Sequence, residues 1–402
     1  MFSRALLEAL PKTDLHVHLD GSLRLSTLIE LADERGVALP SQTEQGLRET
    51  VFRESYDSLS SYLAGFAYTC AVLQDAEALE RVAYELAWDN LNEGVRYVEV
   101  RFAPQLHMHG GFGYEQVLKA VDQGLRRARV EHEAQCAPGE PSFRYGIIVC
   151  ALRMFQPGFS AAYRQLCEAL SESDKMALYG EAALQLVRAA VRLRDDHGLP
   201  IVAFDLAGHE AGYPASHFSG AFDHAHESFL KKTVHAGEAY GAESIYQAIS
   251  VLHADRIGHG YHLFSADMVG DKVGDDVADK ARYCEDLAEY IADRRITIEV
   301  CITSNLQTNP DIGGVENHAF QKMLNRNLSA TLCTDNRLVS HTTVTREYEL
   351  ATQAFNMTPA QLRNTIIYGF KRSFFPGTYG EKRAYVRTVI DHYEKVWASH
   401  NR

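Results

Sequence analysis

The sequence predicts an α/β fold: a (β/α)8 TIM barrel with extra helices capping the C-terminal face. Three observations predict it. Eight short apolar or β-branched runs alternate with long amphipathic stretches along the 402 residues. Several of those runs are continuously apolar, as strands covered on both faces are. Polar residues gather at the ends of the runs, where such barrels keep their chemistry. A doubly wound open sheet is the competing architecture, but no Gly-x-Gly-x-x-Gly follows the first run.

In chain order the predicted strands are Thr13–His18, Val95–Arg101, Tyr145–Leu152, Pro200–Leu206, Lys231–His235, Arg256–His259, Ile296–Ile302 and Ala330–Thr334. Between them, Glu181–Asp196 and Ala242–His253 read as amphipathic helices. The stretch 21–92 is too long for one crossover and is expected to add a helical lid over the barrel mouth. Within it Leu59, Tyr62, Leu63 and Phe66 fall at i, i+3, i+4 and i+7, one apolar helix face. That face either packs on the core or lines a substrate pocket, so Leu59, Leu63 and Phe66 are candidate pocket residues. Residues 264–290 are acidic and contain glycine, which predicts a surface excursion followed by a helix. Residues 131–141 read as a loop. The whole chain, 1–402, is expected to form one domain.

Composition narrows the function. Hydrophobic residues make up 46%, enough for a large core, and the formal net charge is −13. So acidic a chain repels phosphate backbones and anionic bilayers, which argues against nucleic-acid and membrane partners. The seven cysteines are scattered, with no Cys-x-x-Cys spacing, and several sit in apolar runs such as Val300-Cys301-Ile302. This fits reduced, buried thiols in a cytoplasmic protein. No apolar run nears the roughly 18 residues of a membrane helix, and the N-terminus carries no signal-like apolar stretch.

The polar strand ends carry the chemistry. The first strand ends in His16-Val17-His18, and residues two apart on a strand point the same way. The fifth ends in His235-Ala236-Gly237-Glu238, the sixth in Gly258-His259-Gly260, the eighth in Thr334-Asp335-Asn336. Three His and one Asp from such a set would suit one Zn2+ with an open position for water. His-x-His alone is weak evidence, because it recurs at His107/His109 and His224/His226. The first of these pairs lies in a Gly-rich loop. The second lies in a helix, where i and i+2 diverge, so both read as surface or structural.

At this point the residues resemble a known family. Pro11-Lys12-Thr13-Asp14-Leu15-His16-Val17-His18-Leu19-Asp20-Gly21 resembles the opening motif of adenosine deaminases. Tyr97 to Pro104, Asp205 to Glu210, His235 to Glu238, Arg256 to Gly260, Cys301 to Asn305 and Thr334 to Asn336 match further signatures in order. The resemblance spans roughly residues 9 to 375. It implies that His16, His18, His235 and Asp335 bind zinc, and that Glu238 protonates the purine ring. It places His259 beside the metal's water, the Gly208 N–H on the purine and Asp20 on the ribose. Asp335 and His259 would orient the water and take its proton. Many members carry Asp-Asp where this chain has Asp335-Asn336. An amide N–H donates to the purine N7 at any pH, so activity is expected to survive the change.

The expected reaction is hydrolysis of adenosine or 2′-deoxyadenosine, a small-molecule purine nucleoside, to inosine or 2′-deoxyinosine plus ammonia. The competing readings keep the chemistry and change the substrate to a 5′-modified adenosine such as aminodeoxyfutalosine, or to adenine. An amide- or phosphoester-cleaving metal hydrolase is disfavoured, because no strand end places a bridging Lys. A binding or signalling protein is disfavoured because every expected ligand is present. Cytidine-type deaminases are disfavoured by the missing Pro-Cys-x-x-Cys.

Overall fold

The computed structural model describes residues 2–400 except 172, 271, 272, 274 and 275. Eight strands form one sheet of parallel neighbours in sequence order. They are β1 (Lys12–His18), β2 (Val95–Phe102), β3 (Arg144–Leu152), β4 (Ile201–Ala207), β5 (Lys231–Ala236), β6 (Arg256–His259), β7 (Thr297–Val300) and β8 (Ala330–Leu332). The seam between β8 and β1 closes through Val17 and Asp335. Asp335 N–H donates to His16 O and His18 N–H to Asp335 O, both at 2.7 Å. A (β/α)8 barrel results, and its closing hydrogen bonds lie among the polar strand-end residues.

All eight predicted strands are present, and the differences lie at their ends. The seventh was expected to reach Ile302, but β7 stops at Val300 and Ile302–Thr308 is a helix. Cys301 turns the chain out of the sheet (φ −117°, ψ 81°), and its carbonyl already accepts the Asn305 N–H. The eighth stops at Leu332. Two residues on, Thr334 is held by Asp14, which accepts both its N–H and its hydroxyl.

The barrel interior is not wholly apolar. Arg101, Arg256, Glu99, Glu299 and Asp205 are fully buried. Buried charges are costly unless paired and hydrogen-bonded, and here they are. Arg101 reaches Asp205 (2.9 Å) and Glu299 (2.8 Å), while Arg256 bridges Glu299 (2.6 Å) and Glu99. Glu299 also accepts from Thr233 and lies against His16. This lattice forms the floor beneath the strand ends.

Over the mouth, 21–92 supplies helices Leu25–Arg35, Glu44–Thr50, Leu59–Leu63, Phe66–Val72 and Ala76–Leu91. The single helix face expected from Leu59 to Phe66 is broken: Leu59–Leu63 ends before Ala64-Gly65, and a new helix begins at Phe66. Glycine is a poor interior helix residue, which accounts for the break. Leu59 and Tyr62 are buried, Leu63 and Phe66 half-buried. The predicted loop at 131–141 is only partly one. Helix Tyr114–Gln135 runs into it, its last turn tied by the Arg129–Glu133 pair and by the Phe143 N–H on His132. Within 264–290, where 271, 272, 274 and 275 lie outside the described residues, 3-10 turns precede helix Val277–Arg294. All seven cysteines are free thiols, five of them buried. No helix among the described residues is long and apolar enough to cross a membrane.

Candidate functional site

His16 and His18 leave β1 on the same side, as period-two geometry requires. His235 ends β5, and Asp335 follows β8. One ligand atom from each of these four residues falls within 4.8 Å of the others. His18 Nε2 lies 3.2 Å from His235 Nε2, and Asp335 Oδ1 lies 3.3 Å from His16 Nε2 and 3.4 Å from His18 Nε2. Two of the imidazoles are oriented from behind. His16 Nδ1 meets Glu299 Oε2 at 2.8 Å, and His235 Nδ1 meets Asp205 Oδ2 at 3.0 Å. A carboxylate accepts, so each of these Nδ1 atoms carries a proton, and each Nε2 faces inward. His16 Nε2 is buried and makes no hydrogen bond among the described residues. Imidazole nitrogens and a carboxylate converging out of water form a set suited to a cation between them. These four residues are therefore candidate metal ligands.

The supporting charges are legible in physical terms. Burial works against charge on Glu299, but Arg101 and Arg256 outweigh it and hold the carboxyl well below its ordinary range. Asp205 is likewise held low, burial being overcome by His235 and Arg101. Burial lowers His235 and His18 from the usual imidazole range, whereas His16 is raised, burial and Arg101 being outweighed by Asp335 and Glu299. Gly258 makes room for the first ligand, since a Cβ there would sit 2.9 Å from His16 Cε1.

Beside this cluster stand Glu238 and His259, both buried, with His259 Nε2 3.7 Å from Glu238 Oε1. Burial raises the Glu238 carboxyl well above its usual range, and the nearby Asp335 and Glu210 raise it further. Glu210 also builds the turn that carries Glu238. Its carboxylate accepts three successive backbone N–H groups, Gly237 (2.8 Å), Glu238 (3.0 Å) and Ala239 (2.7 Å). His259 and Asp335 both adopt left-handed backbone (φ 64° and 61°). Non-glycine residues held so cost on the order of 1–3 kcal/mol each and gather at functional sites.

The lid closes onto this floor at two points. Ser60 Oγ lies 2.7 Å from His209 Nε2, next to Gly208 at the end of β4. Tyr62, expected only as part of an apolar face, turns its hydroxyl inward. It accepts from Asn336 Nδ2 at 2.8 Å and lies 2.7 Å from Ser340 Oγ. Asn336 Oδ1 rests against Gly21, where a Cβ would come within 1.8 Å of it. Asp20 is buried with Oδ1 unpartnered among the described residues. His107, read as structural, is buried behind it, with Nδ1 on Leu73 O and Nε2 3.7 Å from Asp20 Oδ2. His109 is exposed and bonds Gln74 O. His224 and His226 lie on helix Ser219–Glu227, away from the strand ends.

Sequence reasoning missed several members of this site. Glu210 and Ser304, which donates to Asp335 Oδ2 at 2.6 Å, drew no functional reading, and Tyr62 was read only as part of an apolar face. Asn305, given no role beyond the end of a matched motif, is buried between His259 and His318. A charged residue inside an otherwise apolar strand, as at Glu99, Arg101, Asp205 and Glu299, was the available signal for the supporting layer.

A barrel with such strand ends defines a protein whose chemistry is carried at its C-terminal face. The family model described as adenosine deaminase matches residues 11–392. Adenosine deaminase 1 of Streptomyces coelicolor is 35% identical over 382 residues, spanning 94% of this chain and 86% of the relative. An adenine deaminase from Arthrobacter aurescens shares the fold with a TM-score of 0.75 at 21% identity, covering 95% of this chain and 99% of its own. An N6-mAMP deaminase of Arabidopsis gives 0.71 at 25% identity, covering 96% and 99%. The chain belongs to the adenosine deaminase family, and it is a hydrolytic deaminase.

Proposed function

We propose that this enzyme deaminates adenosine and 2′-deoxyadenosine to inosine and 2′-deoxyinosine, releasing ammonia, with one zinc ion held by His16, His18, His235 and Asp335. The observation that carries the metal assignment is the spacing of the ligand atoms, 3.2, 3.3 and 3.4 Å. Three imidazole nitrogens and one carboxylate oxygen brought this close are a mixed donor set that would hold zinc and leave a further position for water. When bound, zinc would lower the pKa of a coordinated water from ~15.7 towards ~7 and so supply a nucleophile at neutral pH.

The chain's own residues do the rest. Glu238, kept protonated by burial, gives its proton to the ring nitrogen beside the amine-bearing carbon, so that the ring can accept electron density. His259 and Asp335 orient the attacking oxygen. The Gly208 N–H and the Asn336 amide hold the base, with Leu59, Leu63 and Phe66 over it. Asp20 offers an unpartnered carboxylate oxygen to a ribose hydroxyl. That same carboxylate would repel a 5′-phosphate, which favours a nucleoside over a nucleotide.

The test is a substrate panel of adenosine, 2′-deoxyadenosine, adenine, N6-methyl-AMP and a 5′-blocked adenosine, with kcat/KM measured for each on zinc-loaded protein. The two nucleosides are expected to lead. Preference for the 5′-blocked compound or for adenine would overturn the ribose contact at Asp20 while leaving the chemistry in place.

A further inference from the structure

Three buried side chains connect a backbone amide to the edge of the ligand cluster. The Phe320 N–H lies 3.1 Å from His318 Nδ1. A backbone N–H can only donate, so His318 Nδ1 is bare. Burial pushes His318 down to about 3, which keeps the ring neutral. A neutral ring with a bare Nδ1 carries its proton on Nε2. His318 Nε2 lies 3.2 Å from Asn305 Oδ1 and donates to it. The amide nitrogen of Asn305 must then face the other way, where it lies 3.2 Å from His259 Nδ1. An amide nitrogen also only donates, so His259 Nδ1 is bare and its proton sits on Nε2.

The two ends of an asparagine amide are ordinarily interchangeable in a structure. Here the string begins on a backbone N–H, and each later assignment follows from the one before it. It ends at His259 Nε2, a buried atom without a hydrogen-bond partner among the described residues, 3.7 Å from Glu238 Oε1. An unpartnered donor aimed into a site is set to meet an acceptor.

We infer that His318 and Asn305 are positioning residues that lock His259 as an Nε2–H donor, so that His259 holds the attacking oxygen by donating a hydrogen bond and is not the first acceptor of its proton. The inference rests on the deaminase reading for the identity of that oxygen, but the tautomer stands on the hydrogen bonds alone. It departs from the sequence expectation that His259 shares in taking the proton. A neutral imidazole already protonated at Nε2 has no lone pair there to offer. Asp335 is left to accept it.

Ring-nitrogen spectra of histidine-labelled, zinc-loaded protein test this directly. His259 is assigned as the pattern that disappears in His259→Gln. The expected pattern is an unprotonated Nδ1 and a protonated Nε2 at neutral pH. Asn305→Asp replaces the donating nitrogen with an acceptor, so it should move the proton to Nδ1. A wrong tautomer or a lost donor is worth on the order of 10²-fold or more, and kcat should fall by about that factor with KM little changed. His318→Phe, which frees the amide to turn over, should give a mixture of the two patterns. A parent enzyme with its proton on Nδ1 would overturn the inference. So would a full loss of kcat in Asn305→Asp with the His259 pattern unchanged. The expected pattern in a protein that turns over no adenosine would instead sink the substrate reading and leave the tautomer standing.

Discussion

Replacing Glu238 with glutamine isolates the proton that the buried carboxyl is held to deliver. The side chain keeps its length and shape, and the turn beneath it is fixed by Glu210 through backbone N–H groups that the substitution leaves alone. Glutamine can still donate a hydrogen bond to the ring nitrogen, a net contribution of about 0.5–1.5 kcal/mol. It cannot hand a proton over. A positioned general acid contributes typically 10²–10⁴-fold, or about 3–5 kcal/mol at 1.36 kcal/mol per decade. The retained hydrogen bond offsets the smaller part of that, so kcat should fall by roughly 10³-fold. Metal content should be unchanged, since Glu238 is not among the four ligands. The pH profile adds a second reading. The carboxyl acts in its protonated form and its pKa is raised, first by burial and then by Asp335 and Glu210. Activity is therefore present below that raised pKa and lost as pH climbs through it, and Glu238→Gln should abolish that alkaline limb. Stopped-flow and steady-state ultraviolet assays of adenosine turnover across pH measure both quantities. A variant within about threefold of the parent, a difference under 1 kcal/mol, would refute the acid assignment.

Three further perturbations follow from the structure. Asn336→Asp replaces an amide that donates at any pH with a carboxyl that donates only when protonated, so kcat/KM should gain a new decline as pH rises through that carboxyl's pKa; an unchanged profile would count against Asn336 touching the base. Asp205→Asn takes the carboxylate from behind His235, which should weaken metal binding by about 10–100-fold in a chelator competition, with equal affinity contradicting the orienting role. Arg256→Met leaves Glu99 and Glu299 buried without their shared cation, and should destabilise the fold by about 3–5 kcal/mol in urea unfolding; a midpoint like the parent's would show that the floor does not depend on this pair.

The barrel and the convergence of its candidate metal ligands were legible because both follow from local rules. Period-two geometry sends His16 and His18 the same way, and a (β/α)8 architecture brings the ends of β1, β5, β6 and β8 to one face. The layer behind them was not legible. Arg101 meets Leu15 O, Asp205 and Glu299, groups from three other strands, and nothing in one sequence says which buried charges will pair. The lid shows the same limit. The spacing of Leu59, Tyr62, Leu63 and Phe66 described an apolar face correctly for burial, but it hid the break at Gly65. It also hid the Tyr62 hydroxyl, whose partners Asn336 and Ser340 lie far along the chain. Asn305 follows a strand end and drew no role of its own from the sequence. Its role appears only once His318 and His259 are seen on either side of it.

The central claim is that His16, His18, His235 and Asp335 hold a zinc ion on which adenosine hydrolysis depends. Its most direct test follows the ultraviolet change from adenosine to inosine with zinc-loaded and chelator-stripped protein side by side, the metal content of each measured. The account predicts rapid turnover that disappears with the metal and returns when one equivalent of zinc is restored. Turnover undiminished in fully stripped protein would contradict it.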